Sequence, residues 1–147
     1  MLNDLLTNGA LTPGVYQLQT ELEIDSLVLD TAVSSAGWHG VVLTGRGIID
    51  KAGLLTAVGK QFNFPSYFGQ NWDALDEMLC DLSWLPAAGY VVILEEFEGL
   101  ALADGETWRT FVEIWQDATA VWWAQGVPMF VLVRGRAGDS LPPLLLA

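Results

Sequence analysis

Hydrophobic residues recur along this chain in two periods, and the change from one to the other lays out its elements. GVYQLQT (14–20) and SLVLDTA (26–32) read as short strands on either side of an acidic turn at 21–25. Ser34-Ser35-Ala36-Gly37 follows as a linker. GVVLTG (40–45), YVVIL (90–94) and VPMFVLV (127–133) are near-continuous apolar runs, the mark of strands covered on both faces. Pro128 stands at the start of the last, where a missing N–H is tolerated. Between these runs the period lengthens to that of a helix. Asp50 caps a predicted helix over 51–62, with Leu54, Leu55, Val58 and Phe62 on one stripe. Gly53 and Gly59 weaken that helix, so it depends on packing. Asn63-Phe64-Pro65 ends it, because the residue before a proline avoids the helical region. Gly69 permits a turn, and Asn71 caps a second helix over 72–83. Its inward stripe is Trp72, Leu75, Met78, Leu79 and Leu82. A long helix over 105–125 turns Trp108, Phe111, Val112, Trp115, Ala118 and Trp122 inward, and Gly126 stops it.

Strand, two helices, strand, helix, strand implies right-handed crossovers and a parallel sheet. The expected fold is α/β: a small three-stranded parallel sheet packed by helices over residues 38–135. Residues 1–37 are expected as an N-terminal extension holding the two short strands, and 136–147 as a C-terminal tail. The length of 147 residues suits one domain with a sizeable core, and 52% apolar residues with seven Trp exclude a disordered chain. MLNDLLTNG has neither a basic flank nor a long apolar run, so no leader peptide is expected. LPPLLLA is far too short to span a bilayer.

Charge changes the picture. The net charge is −12, which argues against nucleic acid and anionic membranes as direct ligands and favours a basic protein partner, or solubility alone. The acids are not evenly spread. From Gln61 to Trp108 there is no Lys or Arg, yet this window holds half of the eighteen acidic residues. Asp73, Asp76, Glu77 and Asp81 lie on the outer side of the second helix, and positions 73, 77 and 81 are successive i, i+4 neighbours that form one ridge. Such like-charge pairs cost a few tenths of a kcal/mol each (about 0.2–0.5). The helix dipole offsets Asp73 in the first turn but not Glu77 or Asp81.

Other candidate chemistry is sparse. His39 is the only histidine, so no His-based metal cluster can be assembled. Cys80 is the only cysteine: no internal disulfide is possible, and a reducing, cytoplasmic compartment is expected. The acids around Cys80 raise a thiol's pKa, the wrong direction for a nucleophile. Asp73 and Glu77, one turn apart, could act as an acid/base pair or hold a divalent cation through oxygens. The helix lacks the His or phosphate-cradling groups that accompany such sites, and there is no Walker-type loop. Trp123 falls about 100° round from Trp122, at the margin of the stripe or exposed. On the residues alone, three readings of the acidic helix stay open: a solvated face, a carboxylate-dependent hydrolase, or a protein-binding surface.

The run Pro65-x-Tyr67-Phe68-Gly69-x-Asn71-x-Asp73-Ala74-Leu75-x-Glu77 resembles the barstar family, intracellular inhibitors of barnase-type ribonucleases, whose pattern is close to P-x-Y-[YF]-G-x-N-x-D-A-L-x-D. The resemblance covers about residues 39–133, with the apolar runs and helices in family order. It implies a small three-stranded parallel sheet packed by helices. It implies a protein that is not an enzyme and needs no cofactor or metal, and that inserts the acidic helix and its preceding loop into a basic ribonuclease, or a similar toxin protein, as an antitoxin does. Tyr67, Gly69, Asn71, Trp72, Asp73, Asp76 and Glu77 would form the contact surface, with Asp73 and Glu77 as charge anchors and Tyr67 as the aromatic one. FVEIWQDA aligns with the stretch that carries another family contact acid, which places it at Asp117. Three departures bear on the partner's identity: Glu77 replaces the usual Asp, Asp76 stands where a large aromatic is common, and residues 1–37 are extra. The alternative is an acidic binding module of the same fold whose partner is another toxin or a signalling protein.

Overall fold

The computed structural model describes residues 6–145. The elements are β1 (Val15–Gln19), α1 (Ser26–Ser34), β2 (Trp38–Thr44), α2 (Lys51–Gln61), α3 (Trp72–Asp81), β3 (Gly89–Glu95), α4 (Glu98–Ala103), α5 (Gly105–Ala124), β4 (Met129–Arg134) and β5 (Pro143–Leu145). All strand pairings are parallel, and the order across the sheet is β2-β3-β4-β1-β5. The expectations for the first five residues of MLNDLLTNG and the last two of LPPLLLA lie outside the described residues.

The apolar runs become strands because the sheet is covered on both faces. Along β3, Val91 and Ile93 join Leu29 and Val33 of α1 in one core, with Phe130 and Leu132 of β4. Tyr90, Val92 and Leu94 face the other way, into a larger core with Leu54, Leu55 and Val58 of α2, Leu75 and Leu79 of α3, and Phe111 and Trp115 of α5. A strand buried on both sides has no polar position to spare, hence the unbroken YVVIL.

The sheet has five strands rather than three. The apolar runs supply β2, β3 and β4, but GVYQLQT pairs with β4 from Val15↔Val131 to Leu18↔Arg134. It then pairs on its other side with β5, from Gln17↔Pro143 to Gln19↔Leu145. β5 is too short, at three residues, for periodicity to show it. SLVLDTA, expected as a strand, is helix α1. Asp25 caps it by accepting the Val28 N–H at 2.8 Å. The buried positions are Leu29 and Val33, four apart, whereas Leu27 and Val28 are exposed. β-branched content suggested a strand; the i, i+4 burial decides for a helix. The sequence also missed α4. It packs beside α5 across Asp104, whose carboxylate accepts the Thr107 N–H at 3.2 Å and the Thr107 hydroxyl at 2.7 Å.

Candidate functional site: an acidic helix and its preceding loop

The loop that carries the sequence motif is pinned from beneath. The Phe64 N–H donates to the Gly59 carbonyl at 2.9 Å, and the Phe68 N–H donates to the Pro65 carbonyl at 3.0 Å, closing a turn with Ser66 and Tyr67 at its tip. Phe64 lies edge-on to Phe68 (4.9 Å between centroids) and to Trp84 (5.7 Å), and near Phe62 (5.9 Å). The Trp84 indole N–H donates to the Phe62 carbonyl at 3.3 Å. Gly59 has a packing reason: a Cβ there would stand 3.1 Å from the Phe68 ring. With Phe64 and Phe68 turned under the loop, Tyr67 is left 69% exposed.

Asn71 then starts α3. Its side-chain oxygen accepts the Ala74 N–H at 2.8 Å, and its amide donates to the Gly69 carbonyl at 3.4 Å. The Asn71 side chain is therefore occupied in holding the loop to the helix. Gly69 is exposed and tight against it, since a Cβ would lie 3.3 Å from Asn71 Nδ2. Just before the cap, Gln70 takes a left-handed φ of 50°, and the Thr56 hydroxyl lies 3.4 Å from its side-chain oxygen. At the far end, Leu82 takes φ 46° and its N–H returns to the Met78 carbonyl. Its side chain is buried, which holds this uncommon backbone in place.

The outer face of α3 is as acidic as expected. Asp73 and Glu77 are exposed, and neither has a hydrogen-bond or ion-pair partner among the described residues. Asp81 is exposed and accepts the Ser83 hydroxyl at 3.0 Å. Asp76 is half-buried. Trp72 is half-buried against the core, with the Lys51 ammonium 5.0 Å from its ring centroid. No spacing in the chain signals that cation, which comes from the first turn of α2.

Asp117 reaches the neighbourhood of α3 from α5. The two helices pack together, and the Trp122 indole N–H donates to the Leu79 carbonyl at 2.8 Å. Cys80 lies half-buried between Asp76 and Asp117. Burial, and after it the negative charges of Asp76 and Asp117, push the thiol up to about 11. The sequence identifies the direction and Asp76, but it places Glu77 and Asp81 beside the thiol where the structure has Asp117, and it misses the larger cause, which is desolvation. Trp123 is 51% exposed and lines a small apolar cavity with Leu6, Leu11, Trp38 and Pro128.

Among the described residues, no group of three or more His, Cys, Asp and Glu side chains could hold a metal ion. Again among them, no helix is long and apolar enough to cross a membrane. A charged pair lies elsewhere, at the carboxyl ends of β2 and β3, where Arg46 Nη2 donates to both carboxylate oxygens of Glu96 at 2.9 and 3.0 Å. The hydrogen bond to Arg46 holds the Glu96 carboxyl low, while burial, then Glu96, pushes the neighbouring Glu95 up. Positions 46 and 96 are too far apart in sequence for any spacing to reveal the pair.

Comparison with curated proteins gives no match. The family model of Barstar (barnase inhibitor) matches residues 38–134, from the first residue of β2 to the last of β4, with the motif loop, α3 and α5 inside it. The chain thus belongs to the barstar family of barnase inhibitors.

Proposed function

We propose that this protein inhibits a basic, barnase-like ribonuclease by inserting α3 and the preceding loop into its active site. Asp73 and Glu77 act as charge anchors in place of substrate phosphate, and Tyr67 supplies the aromatic contact. Gly69, Asn71, Trp72 and Asp76 complete the surface, and Asp117 approaches from α5. The observation that carries this reading is the unpaired state of Asp73 and Glu77. Two exposed carboxylates one turn apart, with no cation of their own among the described residues, follow an exposed tyrosine on a loop braced by the half-buried Phe64 and Phe68. A surface whose charges are unsatisfied and whose backbone is fixed loses little on docking with a complementary cationic cleft.

On this reading the protein is not an enzyme, needs no cofactor or metal, binds neither nucleic acid nor membrane, and acts in the cytoplasm. Occlusion is tested by competition. A nucleotide that occupies the active site of a barnase-type ribonuclease should weaken the enzyme's binding to this chain in proportion to its own occupancy. Binding insensitive to the nucleotide would place the contact outside the active site. Absence of binding to any such ribonuclease would leave an acidic module with a different toxin or signalling partner.

A further inference from the structure

The region that matches the family supplies three adjacent strands, β2, β3 and β4. A ribbon of three parallel strands has two open edges, and each presents unpaired peptide groups that invite another strand. In this chain the residues ahead of the matched region reach both. β1 pairs along β4, and α1 then crosses to the opposite side and lies along β2.

Along the outer side of β2 the cover is made atom by atom. The Gly40 N–H donates to Asp30 Oδ1 at 3.0 Å. The Val42 N–H donates to the Ser26 hydroxyl at 2.9 Å, and that hydroxyl returns to the Val42 carbonyl at 3.3 Å. The Thr44 N–H donates to Gln61 Oε1 at 3.1 Å, and Gln61 Nε2 returns to the Thr44 carbonyl at 3.4 Å. Three successive outward N–H groups are therefore taken by side chains. The spacing fits: four residues of helix rise about 6 Å and two of strand about 6.6 Å, so Ser26 and Asp30 meet alternate peptide groups. Gly40 lets the helix come close, since a Cβ there would fall 2.7 Å from Leu29 Cγ. The remaining outer edge is β5, blunted by its length of three residues and by Pro143, which has no N–H.

We propose that the segment preceding the family region is an edge guard: with Gln61, it satisfies both edges of the family sheet and so prevents β2 from pairing with β2 of a second copy. Two such edges would meet antiparallel about a two-fold axis. This inference does not depend on the ribonuclease reading.

The test uses the full chain carrying Ser26→Ala, Asp30→Ala and Gln61→Ala, with circular dichroism to verify the fold. Sedimentation velocity of this variant should show a coefficient that rises toward a dimer with concentration, while the unaltered chain shows no such rise over the same range. Asp30→Asn, which keeps an acceptor for Gly40, should behave like the unaltered chain. Hydrogen exchange should find the Gly40, Val42 and Thr44 amides open in dilute variant and protected in the associated form. If the triple variant does not fold, Ser26→Ala carries the test, since it frees both peptide groups of Val42 by removing one hydroxyl. A folded variant with the same concentration dependence as the unaltered chain, or a dimer in which those amides stay open, would overturn the proposal.

Discussion

Asp73, Glu77 and Asp81 share one face of one helix, yet their surroundings separate them. Asp73 and Glu77 have no partner among the described residues, whereas Asp81 already accepts the Ser83 hydroxyl. On the proposed reading, Asp73→Ala or Glu77→Ala weakens ribonuclease binding by about 2–5 kcal/mol, mainly through faster dissociation, because a cation of the enzyme is left buried and unpaired. That range is carried over from charge pairs of the barnase–barstar complex itself. Asp81→Ala, at the rim, costs less than about 1 kcal/mol and acts on association. Stopped-flow kinetics of the three variants would separate these outcomes, and equal small losses would reduce the ridge to a solvated face. Cys80 gives a prediction that needs no partner. Its thiol is raised to about 11 in the fold against 9.0 unperturbed. Between those values the unfolded chain releases the proton and the folded chain keeps it, so stability falls as pH rises from 9 to 11 and is unaffected by this group below. Urea unfolding across that window should show the decline in the native chain and a smaller one in Cys80→Ser. Identical slopes would mean that the thiol is not desolvated.

The element that decides how the site is presented is the loop from Asn63 to Asn71. Phe64 sits at the centre of its brace, against Phe62, Phe68 and Trp84. Phe64→Ala is expected to cost about 2–3 kcal/mol of stability, at or just below the low end for Phe truncation because the ring is only half-buried. It should also weaken binding although it removes no charge, which denaturant unfolding and the same kinetics would show together. Unchanged binding would mean that the loop is not held by its aromatics. At this scale the sequence was legible where one signal dominates. The sequence predicts Asn71 and Asp50 as caps, and both accept the expected N–H at 2.8 Å. The pattern predicts a strand where α1 lies, because Val and Leu in close succession satisfy a strand pattern as well as a helical one, and only burial distinguishes them. The brace was not legible: FNFPSYF shows a density of aromatics, but not that Phe64 and Phe68 turn under while Tyr67 turns out.

For the whole molecule, topology limits what sequence can show. Three strands announce themselves by apolar runs and β1 by its own short pattern at 14–20, whereas the pairing of β1 between β4 and β5, and β5 itself, leave no local trace. This connectivity gives an expectation for truncation. Without residues 1–36, β4 loses one of its two neighbours and β5 loses its pairing strand among the described residues, so the fragment should associate or precipitate. A soluble monomeric fragment would show that residues 38–134 stand alone. The net charge of −12 acts at the same scale: on the proposed reading it steers a cationic ribonuclease, so the association rate should fall steeply with salt. The central claim, that this acidic face occludes a ribonuclease active site, is tested most directly by titrating the chain into a purified barnase-type ribonuclease while following RNA cleavage. Cleavage should fall linearly and reach zero at one chain per enzyme, and the Asp73→Ala and Glu77→Ala chains should need a large excess. Cleavage that continues undiminished with the native chain in excess over each such enzyme tried would contradict the account.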